Sequence, residues 1–237
     1  MRLSGLKAGI KNSLRPALPF FERTGLYDPP GFGLNGLDKK LLKHIGFRNG
    51  VFAEAGANNG IRQSNTAYLE FYRGWTGLLV EPIPELAQQC RINRPKSRVE
   101  EYALTSLSSS GAPVEMIYCN LMSIVKGARG GDTADEAHIA AGMKFLAGDD
   151  APRHYSVPTA SLDMLFRLSG ISRVDLLSLD VEGYEAQALA GLDFDRVAPR
   201  WILVEANDPQ EIENVLAARY ELVDHLSHHD RLYRLKS

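Results

Sequence analysis

The sequence predicts a three-layer α/β domain with a mostly parallel sheet. From residue 51 onwards, short apolar segments alternate with segments of helix length, which is the pattern of strand–helix–strand units. Residues 174–179 form a mostly apolar segment, typical of a parallel strand that helices cover on both faces. Near the end of the chain, residues 220–225 and 231–235 flank a polar turn. These two segments predict a C-terminal antiparallel strand pair that closes the sheet.

The composition is that of an ordinary globular chain. Its 237 residues are 44% hydrophobic and 24% charged, with a formal net charge of −2, which excludes collagen-like and largely disordered classes. No apolar stretch approaches the ~18 residues of a membrane-spanning helix, and the near-neutral charge argues against a nucleic-acid partner. Cys90 and Cys119 are too few for a disulfide framework or a zinc cluster. We therefore expect a single cytoplasmic domain with an appendage.

Residues 1–36 are expected to form an N-terminal extension, and residues 37–237 the main domain. Residues 1–21 carry four basic residues and no acidic one. Apolar side chains at three- and four-residue spacing predict an amphipathic helix with a basic face, at Leu3, Leu6, Ile10, Leu14 and Leu18. Such a helix either docks on its own domain or makes weak peripheral contact with a membrane surface. A cleaved signal peptide is disfavoured, because the basic residues interrupt the apolar segment that a signal peptide needs. Prolines and glycines predict a loop over residues 16–36.

The first half of the main domain carries three predicted core strands. Asp38 is placed to cap a helix over residues 39–45. Strands are predicted over residues 51–55, 77–80 and 98–103, with helices over 64–72 and 84–92 between them and an additional strand over 114–118. Residues 119–153 are polar and rich in glycine, so we expect a weakly structured insert that serves as a lid or mobile loop and becomes ordered when a ligand binds.

The second half repeats the alternation. A strand over residues 155–159 precedes a helix over 162–168, the apolar strand 174–179, and a helix that follows Gly183. The N-terminus of that helix would itself favour the acids Glu182 and Glu185. A strand over 201–204 and a helix over 209–218, capped by Asp208, complete the core before the terminal strand pair.

Two glycines after the first strand mark a ligand-binding turn. Ligands of open α/β sheets bind beyond the carboxyl ends of the strands, and Gly56 and Gly60 have no Cβ to obstruct a close approach. Glu81 ends the second strand, 25 residues past Gly56, where a carboxylate can accept both hydroxyls of a ribose. The third glycine of a dinucleotide fingerprint is missing, and Glu54 would repel a phosphate. These residues indicate a cofactor with an adenosine and a positive end, such as S-adenosylmethionine.

Three acids follow the later strands. Asp180 directly ends the strand over residues 174–179, Glu182 lies two residues further on, and Glu205 ends the next strand. Because neighbouring strand ends meet at one edge of the sheet, we expect their carboxylates to converge. Either Asp180 or Glu182 acts as a general base, or a hard divalent cation such as Mg²⁺, held by Asp180, Glu205 and Asn207, relieves the repulsion between the acids.

Four motifs of the chain resemble the FkbM-type methyltransferases. They are E-x-G-A-N-x-G at residues 54–60, S-N-T at 64–66, G-W-x-G-L-x-x-E-P at 74–82 and D-V-E-G at 180–183. The resemblance extends over about residues 34–235, with the insert 119–153 and the first thirty residues poorly matched. It implies a class I Rossmann-like α/β/α fold and an S-adenosylmethionine-dependent enzyme, typically one that O-methylates hydroxyls of sugars or natural products.

The same resemblance implies which residues contact the cofactor. Glu81, followed by Pro82, would bind the ribose, and Ala103 and Leu104 would lie against the adenine. The methionine part would be framed by Glu54, Gly56, Asn58 and Gly60. Two roles are open for the polar residues that follow: they would either donate hydrogen bonds to the cofactor carboxylate or cap the next helix. These residues are Ser64, Asn65 and Thr66. Two positions depart from the family pattern: Glu54 replaces the usual aspartate, and Ser178, next to the expected acceptor pocket, stands where lysine is common.

The expected function is therefore O-methylation of a small-molecule or glycan hydroxyl by S-adenosylmethionine. A non-catalytic binding protein that keeps the methyltransferase fold is the alternative from another class. A nicotinamide-dependent oxidoreductase is disfavoured by the missing third glycine.

Overall fold

The computed structural model describes residues 17–109, 111–129, 131–146 and 151–237. Its helices are α1 (Leu18–Arg23), α2 (Leu37–Leu41), α3 (Ala67–Arg73), α4 (Pro84–Asn93), α5 (Asp132–Gly142), α6 (Leu162–Leu168), α7 (Glu185–Leu189) and α8 (Pro209–Leu216). Its strands are β1 (Val51–Ala55), β2 (Thr76–Val80), β3 (Arg98–Glu100), β4 (Ala103–Leu104), β5 (Val114–Tyr118), β6 (Ile124–Val125), β7 (Arg153–Val157), β8 (Thr159–Ala160), β9 (Leu176–Leu179), β10 (Trp201–Glu205), β11 (Tyr220–His225) and β12 (Asp230–Leu235). The predicted alternation of strands and helices from residue 51 onwards is confirmed.

A seven-stranded sheet in the order β11-β12-β10-β9-β1-β2-β3 forms the centre of the molecule. The five strands from β10 to β3 run parallel to one another, whereas β12 is antiparallel to both β10 and β11. The predicted terminal antiparallel pair is therefore confirmed. The chain builds β1 to β3 outwards in one direction and then returns to add β9 on the other side of β1. This reversal between β1 and β9 is where an open α/β sheet binds its ligands.

Helices cover both faces of this sheet, as a three-layer fold requires. Phe52 and Leu79 pack with α2, α3 and α4 on one face. Ala53 and Leu78, which alternate with them along the strands, pack with α6, α7 and α8 on the other. Leu177 of β9 is fully buried in the second cluster. Its neighbour Leu176 is buried in the first cluster, so β9 is covered on both of its faces, as its mostly apolar composition predicts.

Two predicted strands are each divided between sheets, which corrects the expectation of single strands over 98–103 and 155–159. β3 belongs to the central sheet, whereas β4 pairs with β8 in a separate two-stranded sheet. β7 joins β5 and β6 in a three-stranded antiparallel sheet. Pro158 lies between β7 and β8, and its carbonyl accepts the Ala103 N–H at 3.0 Å. Proline has no N–H for a ladder, so the chain changes sheets there.

The described part of the insert 119–153 is folded, which corrects the expectation of a weakly structured segment. It contains β6, α5 and the short 3₁₀ turns Asn120–Met122 and Met143–Phe145. Asp135 of α5 is buried, and its carboxylate accepts the N–H groups of Gly127 and Arg129. His138 Nε2 lies 3.1 Å from the Met122 carbonyl oxygen. These contacts hold the helix against the preceding loop. They cannot be inferred from the glycine content, on which the expectation of a weakly structured segment rested.

The described part of the N-terminal extension docks on the main domain. Leu18 is buried at the start of α1, and Glu22 of that helix accepts the Tyr68 hydroxyl at 3.1 Å and pairs with Arg73 at 2.7 Å. The other expected stripe residues, Leu3, Leu6, Ile10 and Leu14, lie outside the described residues. Within the described ranges, no helix is both long and apolar enough to cross a membrane.

Asp38 is not the helix cap that the sequence suggests. The helix α2 begins at Leu37, so Asp38 lies within it and is buried. Its carboxylate accepts the N–H groups of Phe32 at 2.7 Å and of Lys39 at 2.9 Å. Aspartate is a common helix-capping residue, which is why the sequence suggests a cap here. In the structure its carboxylate instead holds the loop that enters α2, through the Phe32 N–H, and bonds the Lys39 N–H inside the helix.

Candidate active site

A cavity of about 520 Å³ opens at the carboxyl ends of β1, β2, β9 and β10. Its volume lies within the range of ~300–1,000 Å³ that ligand sites of proteins occupy. Most residues that the sequence singles out line it, namely Gly56, Asn58, Glu81, Pro82, Ala103, Leu104, Asp180, Glu182, Glu205 and Asn207. The remaining five do not, namely Glu54, Gly60, Ser64, Asn65 and Thr66. The expected cofactor half and the expected acceptor half thus share one cavity.

Gly56 directly follows β1 and lies against the backbone that follows β9, beside the cavity. Its φ is +76°, and a Cβ there would lie 1.8 Å from the Asp180 carbonyl oxygen. Only glycine fits such an approach and such a backbone angle without strain. The glycine therefore brings the backbone of the cofactor turn against the strand end that carries Asp180.

Glu81 is a buried carboxylate in the cavity wall. Its Oε2 accepts the Asn58 N–H at 2.8 Å, and its Oε1 accepts the Ile83 N–H at 3.0 Å. Burial raises the pKa of Glu81 to about 7, although both N–H groups act in the opposite direction. A carboxylate offers roughly four lone-pair sites, so each oxygen can accept one more hydrogen bond from a ligand.

Glu54 lies behind the cavity and holds the segment of residues 64–66. Its carboxylate accepts the Ser64 hydroxyl at 2.8 Å, the Thr66 hydroxyl at 2.5 Å and the Asn65 N–H at 2.8 Å. Ser64 Oγ in turn accepts the Ala67 N–H at 3.0 Å at the start of α3. Ser64 therefore binds an N–H group at the start of α3 as a helix cap does, which is one of the two roles expected for residues 64–66. Direct contact of Glu54 and of residues 64–66 with a cofactor stays a prediction.

Arg94 completes this cluster and was not foreseen from the sequence. The guanidinium is fully buried, with Nε 2.7 Å from Glu70 and a second nitrogen 3.7 Å from Glu54. It also donates to the Gly60 carbonyl at 2.9 Å and to the Thr66 hydroxyl at 3.1 Å. An arginine just after a helix ordinarily indicates a solvated side chain, so no local pattern distinguishes this one.

Three carboxylates meet at the opposite side of the cavity. Asp180, Glu185 and Glu205 each offer an oxygen, and these oxygens lie within 4.8 Å of one another. Asn207 donates its amide to Glu205 Oε2 at 3.1 Å. Of the expected metal ligands, Asp180 and Glu205 are thus brought together. The third acid of the cluster is Glu185, which the sequence pattern explains as a helix-start acid and which accepts the N–H groups of Val181 and Gly183.

The crowding of these acids changes their protonation. Asp180 is accessible from the cavity, but the surrounding protein desolvates its carboxylate and raises its pKa well above the usual value, and the negative charges of Glu205 and Glu182 raise it further. Burial also raises the pKa of Glu182 to about 8, with Glu205 adding to the effect and Arg129 opposing it. A carboxyl group with a pKa near neutrality, as Glu182 has, is suited to accept a proton from a bound hydroxyl.

Glu182 connects the sheet edge to the insert. It adopts a left-handed backbone conformation with φ of +57°, which is uncommon for a residue other than glycine. Arg129 Nη2 lies 3.0 Å and His138 Nε2 lies 3.4 Å from Glu182 Oε2. Both residues come from the poorly matched insert, so no sequence motif indicates their place in the cavity wall. Burial lowers the pKa of His138, which favours its neutral form.

Comparisons with known proteins identify the family. Residues 54–235 match the sequence profile of the methyltransferase FkbM domain, whereas a search among curated proteins gives no significant match. Similar solved structures include a TehB-like SAM-dependent methyltransferase from Corynebacterium glutamicum, with 12% identity over 97% of this chain and 100% of that chain and a TM-score of 0.42. The methyltransferase FkbM from Methylobacillus flagellatus has 14% identity over 78% of this chain and 43% of that chain, with a TM-score of 0.41.

A third similar structure is the 1,6-didemethyltoxoflavin-N1-methyltransferase of Burkholderia thailandensis, solved with 1,6-didemethyltoxoflavin and S-adenosylhomocysteine bound. It has 15% identity over 99% of this chain and 93% of that chain, with a TM-score of 0.41. The FkbM profile covers residues 54–235 of the 237 residues of this protein, which is most of its length. The chain therefore belongs to the FkbM family of S-adenosylmethionine-dependent methyltransferases and has the class I α/β/α fold.

Proposed function

We propose that this protein is an O-methyltransferase that transfers a methyl group from S-adenosylmethionine to a hydroxyl of a sugar, glycoconjugate or natural product. The observation that carries the proposal is that one cavity joins Glu81, with free acceptor capacity, to the carboxylates of Asp180 and Glu205. The first part suits an adenosine ribose, and the second suits a hydroxyl that must lose a proton.

The cofactor half of the cavity is assigned by the chemistry of its wall. Glu81 would accept the ribose hydroxyls, and the small apolar side chains of Ala103 and Leu104 would contact the adenine ring. Gly56 and Asn58 would face the methionine part. When bound there, S-adenosylmethionine supplies a methyl group on a positively charged sulfur, and the strand-end acids favour that charge.

The acceptor half is assigned to the acids at the ends of β9 and β10. Asp180 or Glu182 would take the proton of the acceptor hydroxyl as its oxygen attacks, and holding the two reactants together would supply much of the rate enhancement. The alternative is a hard divalent cation such as Mg²⁺ bound by Asp180 and Glu205, with Asn207 or Glu185 as a further oxygen donor. Oxygen ligands within 4.8 Å of one another are compatible with either alternative.

Incubation with S-adenosylmethionine labelled in its methyl group and with glycan extracts of the host, followed by mass spectrometry of the products, tests the proposal. Calorimetry with S-adenosylmethionine, S-adenosylhomocysteine and NAD separates an enzyme of this type from the two alternatives. No heat with either adenosyl compound at ~100 μM protein would reject the proposal. Binding of S-adenosylmethionine without any labelled product would favour a non-catalytic binding protein.

Replacing Asp180 by asparagine tests the catalytic assignment. Loss of a general base or of a metal ligand should reduce turnover by ~10²-fold or more, while the affinity for S-adenosylhomocysteine changes little. Normal turnover of Asp180→Asn would contradict both alternatives. Excess EDTA then distinguishes them, because full activity excludes the cation, whereas activity that only Mg²⁺ restores excludes the metal-free base.

A further inference from the structure

Two cationic side chains in the wall of the cavity have no role in the proposed function. Arg62 follows the glycine turn after β1, and Lys144 lies at the end of the insert helix region. Asn120 connects them: its Oδ1 accepts from Arg62 at 3.4 Å, and its Nδ2 donates to the carbonyl of Phe145 at 3.0 Å. Both cations line the cavity and are exposed to solvent, and Asn120 links Arg62 to the residue next to Lys144.

Neither cation is neutralised by a carboxylate within the ranges that the structure describes. The other cation of the insert wall, Arg129, has its ion pair with Glu182 at 3.0 Å. Lys144 instead lies over the ring of Phe145, with its ammonium 4.9 Å from the ring centroid. Guanidinium and ammonium groups in a concave wall are well suited to bind a carboxylate or a phosphate, which offers charge-assisted hydrogen bonds to both.

The charges of the cavity are separated by the elements that carry them. Its carboxylates come from the strand ends, at Glu81, Asp180, Glu182 and Glu205, whereas Arg62 follows the glycine turn after β1 and Lys144 lies in the 3₁₀ turn Met143–Phe145 of the insert. A ligand with a hydroxyl at one end and an anionic group at the other would match this arrangement. An anion placed at the strand ends would be repelled.

We propose that the acceptor carries an oxyanion, a carboxylate or a phosphate, that Arg62 and Lys144 bind while its hydroxyl lies at Asp180. This inference rests on the proposed function and narrows its acceptor class. It assigns recognition of the acceptor charge to Lys144 of the insert together with Arg62 of the turn after β1.

Binding of matched sugars to the protein saturated with S-adenosylhomocysteine tests the inference. Calorimetry should show that glucuronate or glucose 6-phosphate binds at least ~10-fold more tightly than neutral glucose, a difference of about 1.4 kcal/mol. The two anionic probes distinguish a carboxylate from a phosphate group. Equal binding of all three sugars, or binding of none, would overturn the inference, whereas the preceding binding of S-adenosylhomocysteine reports separately on the proposed function.

Two charge-removing variants locate the anion. Lys144→Gln should abolish most of the preference for the anionic sugar and leave the affinity for S-adenosylhomocysteine unchanged. Lys126→Gln is the matched control, because Lys126 belongs to the same insert but pairs with Glu115 at 3.2 Å and does not line the cavity. A preference that survives in Lys144→Gln, or is lost equally in Lys126→Gln, would contradict the assignment. Weaker S-adenosylhomocysteine binding in Arg62→Gln, with the sugar preference retained, would mean that Arg62 holds the cofactor carboxylate instead.

Labelled products from the host extract provide an independent test. A methylated hydroxyl leaves the charge of its carrier unchanged, so the labelled product should be retained on an anion exchanger at neutral pH and be released by salt. A labelled product that flows through uncharged would refute the inference and leave the methyltransferase proposal intact.

Discussion

Glu81 makes cofactor binding dependent on pH. Burial holds its pKa at about 7 in the free protein, and only the ionised carboxylate accepts both ribose hydroxyls. Affinity should therefore be low where Glu81 is protonated, rise as the pH passes through 7, and level off above it. Between about pH 6 and pH 8 the ionised fraction of such a group grows roughly tenfold, so the dissociation constant of S-adenosylhomocysteine measured by calorimetry should fall by about that factor.

Substitution at Glu81 provides the control for this dependence. Glu81→Gln should remove the pH dependence, and Glu81→Ala should weaken binding by at least ~10-fold, because each charge-assisted hydrogen bond is worth roughly 1.5–3 kcal/mol. Asp180→Asn should retain the dependence, which separates Glu81 from the acids at the other side of the cavity. A dissociation constant that does not change with pH in the unsubstituted protein would place the ribose elsewhere.

The two strand-end acids Glu54 and Glu81 show what the sequence reveals about single residues. Residue type and position at a strand end predict that both lie at the sheet edge, which is where they are. The direction of each side chain depends on partners that are distant in the chain. Glu54 meets the donors of residues 64–66 and the buried Arg94, so its oxygens are engaged. Glu81 meets only two backbone N–H groups and keeps capacity for a ligand.

Among the elements, the insert is where a bound ligand should have its largest effect. Its residues Arg129, His138 and Lys144 line the cavity, and both Arg129 and His138 make polar contacts with Glu182 at the sheet edge. Tryptic cleavage after Arg129 and Lys144 should slow when S-adenosylhomocysteine is bound, because ordering a segment limits the local opening that proteolysis requires. Mass spectrometry of the fragments measures the rates at both sites.

The Glu81→Ala variant is the control for this protection, since it should bind the ligand poorly and remain as sensitive as the free protein. Equal cleavage of the unsubstituted insert with and without S-adenosylhomocysteine would show that the segment does not respond to the cofactor.

Elements with a strong local pattern were predictable, and elements set by distant contacts were not. The apolar segment of β9 and the Asp208-Pro209 start of α8 follow from sequence alone, and Asp208 indeed accepts the Gln210 N–H at 2.9 Å. The division of residues 98–104 between two sheets depends on pairing with β8, which lies more than fifty residues later. The helix α5 was missed because surrounding glycines outweighed its own helix-favouring residues.

At the scale of the whole molecule, the order of the strands explains why the site residues converge. The order in which strands are added to the sheet reverses at β1. The end of β2 therefore lies on one side of β1, and the ends of β9 and β10 lie on the other. Gly56, Asn58 and Glu81 of the cofactor half follow β1 and β2, and the proposed catalytic acids lie at the ends of β9 and β10. The alternating pattern predicts the sheet and its ligand edge, whereas the depth of the cavity is supplied by the insert, which no periodicity describes.

The buried Arg94 joins this sheet to the helices on one of its faces, and its loss should destabilise the entire domain. Arg94→Ala would leave Glu70 and Glu54 buried without their cation. Breaking a buried pair in this way costs about 3–5 kcal/mol, which for a chain of this length lowers Tm by roughly 2–4 °C per kcal/mol. The matched control is Arg234→Ala, which removes an exposed pair with Glu221 and should cost at most about 1 kcal/mol. Denaturant unfolding of both variants measures the difference directly. If Arg94→Ala unfolds as Arg234→Ala does, the cluster of Arg94, Glu70 and Glu54 positions the cofactor turn without stabilising the fold.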